Sequence, residues 1–295
     1  MFLPELARPI AIALAVLGAI FLALGAQFQN DAVTEHHAPN QFKLRSLHIK
    51  QVVDLLRRPR WLAGTSFMGL AILFQLSALA LAPLIVVQPI GAIALIITSF
   101  LNARIYKLKL DARTIGAILV TMLGVSGFVL FAATSATQVK LDDAMLLQVV
   151  GVLIAVIAVF SALFAFSKGR VGPLQYIFGA GVLYGFVASL AKVVIQRLIQ
   201  GDYNWLTLLA LLALVAAAVL GGWFVQNAYA AGPPDLVIAG LTVIDPAVAV
   251  GIAIVILGEA SNAASGQVLG FVISGLVAIT GVLLLSKVHP QLTTK

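Results

Sequence analysis

Long apolar runs alternate along this chain with short polar or basic stretches. Roughly 20 consecutive apolar residues make one helical crossing of a bilayer. Nine segments meet that length: 7–27, 61–82, 84–103, 114–134, 145–167, 174–200, 205–230, 236–257 and 266–285. Pro83 separates the second from the third, and Gly232-Pro233-Pro234 separates the seventh from the eighth, both by turn chemistry that ends helices. The pattern predicts an all-α integral membrane protein with about nine transmembrane helices, four before residue 135 and five after it. Two of the runs are interrupted by a polar residue followed by proline, Gln88-Pro89 and Ile244-Asp245-Pro246. Proline removes a backbone donor and clashes with the carbonyl one turn back, so helix breaks are expected at Pro89 and Pro246.

Composition narrows the class further. Of 295 residues, 61% are hydrophobic and 10% charged, and the mean hydropathy is +1.08. A soluble domain carries about 25% charge. Without cysteine there are neither disulfides nor thiolate metal sites. The first span lacks a small-residue cleavage signature and reads as retained. The net charge of +7 needs no nucleic-acid partner, because its distribution serves topology. With the N-terminus outside, 14 Lys and Arg residues fall on the inner side against three outside, Arg8, Lys140 and Arg197. That orients a multi-pass protein of the cytoplasmic membrane with its C-terminus inside. The inner loop 28–60 is the one long polar stretch. Its residues Leu44, Leu47, Val52, Leu55 and Leu56 share roughly one helical face, which suits either a helix on the anionic leaflet or a solvated basic loop.

The halves repeat each other. Gly116 and, after ten residues, Gly127-Phe128-Val129-Leu130 follow the first proline step; Gly270 and, after ten residues, Gly281-Val282-Leu283-Leu284 follow the second. Spans two to four align with spans seven to nine in opposite orientation. Residues 1–134 and 135–295 are therefore expected to be two inverted repeats, with a site where they meet.

The stretch from Asn227-Ala228-Tyr229-Ala230-Ala231-Gly232 through Asp245-Pro246 to Leu257-Gly258-Glu259 resembles the repeat of the drug/metabolite transporter (DMT) superfamily. Trp61-Leu62-Ala63-Gly64, Ala82-Pro83, Pro89-Ile90-Gly91-Ala92 and the series Gly181, Gly185, Ser189, Lys192 are similar to its NIPA-type magnesium transporter, EamA-like branch. The resemblance covers roughly residues 61–286 and implies a permease. The chain departs from that branch where Lys107-Leu108-Lys109 replaces an acidic ending and where Gln88 stands in place of Thr, so magnesium is not carried over as its substrate.

Asp245, near the middle of its span, is the leading candidate for substrate binding. An acidic residue there costs about 2.5–3.5 kcal/mol on insertion scales and marks a functional site. It would bind a proton, or a metal if a cation is carried, or else cap a half-helix resuming at Pro246. Lys192 would face the cavity, pairing with Asp245 or holding an anionic group, or snorkel outward. Gln88, Gln75, Gln226 and Asn227 are further substrate-binding candidates, and interhelical hydrogen bonding is their other use. Glu259 is expected at the outer surface. Glu35-His36-His37 is a weak metal signal.

No catalytic motif or phosphate loop is present, so neither an enzyme nor a cofactor is expected, and transport would be gradient-driven or facilitated. The expected function is secondary transport of a small metabolite or ion by alternating access. Flipping of an anionic lipid carrier and a non-transporting scaffold are the alternatives. Expected partners are the substrate (small molecule, ion or lipid) and membrane lipids, with room for a homodimer.

Overall fold

The computed structural model describes residues 4–34, 59–105, 111–166, 172–231 and 234–288. Among them the regular structure is entirely helical: α1 Pro4–Thr34, α2 Pro59–Leu81, α3 Leu84–Val87, a 3-10 turn Gln88–Ala92, α4 Ile93–Ile105, α5 Ala112–Ser135, α6 Asp143–Phe166, α7 Pro173–Gln200, α8 Trp205–Ala231, α9 Pro234–Val255 and α10 Ser265–Val288. Eight stretches are long and apolar enough to cross a membrane, and α9 contributes the shorter apolar stretch Gly240–Val255. The expected third span is composite, with α3, the 3-10 turn and α4 making one crossing, Leu84–Leu101. The surface helix considered for the first loop, the Glu35-His36-His37 cluster and Lys107-Leu108-Lys109 lie outside the described residues.

Local chemistry sets the helix ends. Asp111 precedes α5 and accepts hydrogen bonds from the Thr114 amide at 2.8 Å and hydroxyl at 2.6 Å. These bonds hold its carboxyl below the ordinary carboxylate range. The cap is therefore intact at neutral pH and weakens as acid protonates Asp111. Pro173 opens α7, and Gly201 closes it in the left-handed region at φ 81°. Arg8 of α1 donates to the carbonyls of Ala133 and Ala136, placing a cation on the C-terminal end of α5.

The two proline steps have different outcomes. At Gln88-Pro89 the α-helix gives way to a 3-10 turn, so the first break is present. At Pro246 it is absent, because α9 runs unbroken from Pro234 to Val255 with the proline inside. Twelve residues of formed helix precede Pro246, whereas α3 contributes four residues before the 3-10 turn. The longer helix tolerates one missing donor. Asp245 is therefore a helix-interior residue and not an N-cap.

Packing pairs the helices as two related halves. α1 lies along α2, α7 along α8, and α5 against α10. Gly124 and Ala278 meet in the last pair so closely that a Cβ on Gly124 would sit 2.2 Å from the Ala278 amide nitrogen. Gly124 lies three residues before Gly127, and Ala278 three before Gly281. The touching residues thus hold equivalent places in the aligned segments, as a two-fold relation between halves requires. A Cβ on Gly281 would similarly strike the Thr121 amide at 2.4 Å. Small residues let the backbones approach in a setting where water does not drive helices together.

Gly124→Ala is expected to destabilise the protein by about 1–3 kcal/mol through overpacking. Gly116→Ala, with nothing within 4 Å of the added carbon, should leave stability unchanged or raised. Thermal unfolding of both variants in detergent, against wild type, checks the pair.

Candidate functional site

The site is built around the contact between α7 and α9. Gly181 faces Ile244, and Gly185 faces Val248 and the Asp245 carbonyl; a Cβ at Gly185 would stand 3.0 Å from that oxygen. The two glycines seat α9 deep against α7 and so fix Asp245, which lies eleven residues after the start of α9 and ten before its end. Oδ1 of Asp245 is buried with no hydrogen-bond partner among the described residues. One turn earlier, the Thr242 carbonyl lacks its usual helical donor because residue 246 is proline. The Thr242 hydroxyl is already committed, donating to the Ile238 carbonyl at 2.8 Å.

Asp245, Thr242 and Pro246 line a cavity of about 770 Å³ together with residues of α1, α2, the 3-10 turn, α4, α7 and α10. Gln75 and Gln88 lie on its wall, as do Tyr184, Thr98 and Ser99. The structure thus brings Gln75 and Gln88 from one half to Asp245 from the other. The cavity runs from Leu79 and Ala191 at one end to Ala26, Ser99 and Leu285 toward the other. Most of its surface is apolar, from residues such as Leu22, Leu76, Leu95, Val187 and Leu241.

Lys192 is not on that wall. It is 3% exposed, and its ammonium donates at 2.7 Å to each of the carbonyls of Leu79 and Ala82, at the end of α2. The pairing with Asp245 considered from sequence is absent. Its neighbour Gln196 donates to the Ala80 carbonyl at 3.1 Å. Glu259 is 2% exposed and not at the surface. Gly258, at φ 65°, turns the chain, and the Glu259 carboxylate accepts from the amides of Leu84 and Ile85 at 2.9 Å each. A cation thus sits on the C-terminus of α2 and an anion on the N-terminus of α3, each matching the local helix dipole. Both come from the second half and grip the turn at 82–83 in the first. Leu84, Ile85, Val86 and Val87 behind this clamp are all 0% exposed, so this end of the bundle is packed shut. Arg197, at the same end, is also consumed. It pairs with Asp143 at 2.8 Å and donates to Thr207 and Asn204.

Gln226 is exposed, and Asn227 donates to the Trp223 carbonyl at 2.7 Å; neither lines the cavity. Tyr184, Thr242, Thr98 and Ser99 were not singled out from sequence. Thr242, one turn before Asp245, and Tyr184, next to Gly185, stand on the same helices as residues that were. The Thr98-Ser99 pair carried no such signal.

No protein-family model matches the chain, and no solved structure matches it. The chain is similar to an uncharacterized protein of Corynebacterium glutamicum, with 25% identity over 281 residues, 94% of this chain and 95% of the relative. That match runs through both halves.

Replacing Glu259 with Leu leaves two buried amides without acceptors, and Lys192→Met leaves two carbonyls without a donor. Each variant is expected to lose about 1–3 kcal/mol or more. Gln226→Leu, on an exposed face, should have no measurable effect. Thermal unfolding in detergent ranks the three.

Proposed function

We propose that the protein is a secondary transporter of the drug/metabolite superfamily, two inverted repeats that carry a small metabolite or ion across the cytoplasmic membrane by alternating access. The observation that carries this reading is the cavity between the halves, shut at one end by Lys192 and Glu259 and lined at mid-helix by Asp245, one of whose oxygens is buried without a partner among the described residues. A carboxylate in that place needs a proton or a cation as its counterpart, which suits a coupling group. With the N-terminus outside, as the basic residues suggest, the clamp is the outer gate and the cavity extends toward the cytoplasm. Opening outward then requires the four clamp hydrogen bonds to separate.

A flippase for an anionic lipid is less well supported. It needs a cation in the cavity, whereas Lys192 is spent on α2 and the described residues of the wall include no Lys, Arg or His. A scaffold has no use for a carboxylate left without a partner in an apolar interior, because such a group costs stability.

Asp245→Asn is expected to abolish gradient-driven flux in proteoliposomes, across a panel of metabolites and ions, while the variant remains folded. Wild-type flux from a folded Asp245→Asn protein would reject Asp245 as the coupling group. Orientation has its own check in a chain without native cysteine. Cysteine at Lys140 should react with an impermeant maleimide on intact cells, and cysteine at Lys168 only after permeabilisation. The reverse pattern would invert the topology.

A further inference from the structure

We infer that the cavity binds an organic ammonium ion, a protonated primary or secondary amine on an apolar body, with the Asp245 carboxylate and the Thr242 carbonyl as its acceptors. The inference rests on reading this cavity as the transport site and adds the class of substrate.

Charge comes first. Asp245 is the one charged side chain among the described cavity-lining residues, so this wall repels anions and offers a cation its counter-charge. Size and wall chemistry come next. A cavity of about 770 Å³ falls in the range of small-molecule pockets, roughly 300–1,000 Å³. Leu22, Leu76, Leu79, Leu95 and Leu241 would cover an apolar body. A divalent metal is poorly matched: Mg²⁺ keeps several waters or takes several oxygen ligands. The described residues hold no group of three His, Asp or Glu that could ligate one.

The acceptor pattern selects among cations. Asp245 Oδ1 is buried without a donor. The Thr242 carbonyl, on the turn before it, lacks the N–H that residue 246 gives in a regular helix, because that residue is proline. Two acceptors one turn apart call for a cation that supplies two N–H bonds. Primary and secondary ammonium ions do so, and a quaternary ammonium supplies none. Tyr184 lines the same cavity and adds an aromatic residue to the cation's surroundings.

The test is equilibrium binding by titration calorimetry on the full chain in lipid nanodiscs, so no flux is needed. The probes are 2-phenylethylammonium, its N,N,N-trimethyl analogue, 2-phenylethanol, phenylacetate and Mg²⁺. The primary ammonium is expected to bind saturably. The trimethyl analogue and the alcohol should bind at least about tenfold more weakly, phenylacetate and Mg²⁺ should show no saturable binding, and Asp245→Asn should lose at least about tenfold for the ammonium. Size-exclusion and thermal profiles verify that the variant is folded; should Asp245→Asn fail to fold, the probe series on the wild type decides by itself. No saturable binding of the ammonium, equal binding of the alcohol or trimethyl analogue, or preference for phenylacetate or Mg²⁺ overturns the inference. Ammonium binding without flux of any solute would sink the transport reading alone. Flux of an anion or neutral solute without ammonium binding would sink this inference alone.

Discussion

An ionised group inside an apolar bundle has to be paid in hydrogen bonds, and the arrangement of the second half follows from how each of its buried charges meets that demand. Lys192, Arg197 and Glu259 are all 3% exposed or less. Lys192 and Glu259 are each spent on a helix end in the other half, where free carbonyls or amides already carry partial charge. Arg197 is spent on Asp143, Asn204 and Thr207. Asp245 is treated differently. It faces a cavity, and one of its oxygens has no donor. Among the described residues, three buried charges are thus satisfied by the chain itself, whereas Asp245 keeps one buried oxygen without a donor.

The same bundle separates rigid contacts from breakable ones. Where α5 meets α10, backbones approach closely at Gly124 and Ala278 and at Gly281 and Thr121, and the Phe128 and Phe271 rings pack beside them. Such a seam leaves little room for the two helices to part. At the clamped end the halves meet through side chains on helix ends, and hydrogen bonds of that kind can exchange for water as the end opens. Between the two lies the cavity. The two ends differ in contact type, close apolar packing on one side and polar capping on the other.

Much of this was legible in the chain, and the limits were physical. Hydropathy placed the spans within a few residues, as with 114–134 against Ala112–Ser135 and 205–230 against Trp205–Ala231, because length and apolarity are local properties. The depth of Asp245 was equally plain. The fate of Pro246 was not, since whether a proline breaks a helix depends on how much formed helix and packing surround it, here the Gly181 and Gly185 face of α7. Lys192 and Glu259 were misplaced for a related reason. Their partners are backbone groups more than a hundred residues away, and a backbone carbonyl or amide has no letter in the sequence. Gln226 and Asn227 looked like Gln75 and Gln88, because polarity in a span says nothing about which way the helix is turned.

The site and the clamp are joined by the helices that build them. On α7, Gly185, Ser189 and Lys192 follow one another at helical spacing on one face. That face starts against the Asp245 carbonyl and ends at the carbonyls of α2. α9 carries Asp245 at its middle and leads directly into Glu259, whose amide donates to the Ala253 carbonyl at 2.9 Å. Both helices that meet at the carboxylate therefore also hold the gate. α9 joins Asp245 to the Glu259 clamp, and α7 joins the same contact to Lys192. Helices in a packed bundle move as rigid units rather than deforming continuously. The position of Asp245 is thereby joined, through both helices, to the bonds that close the far end.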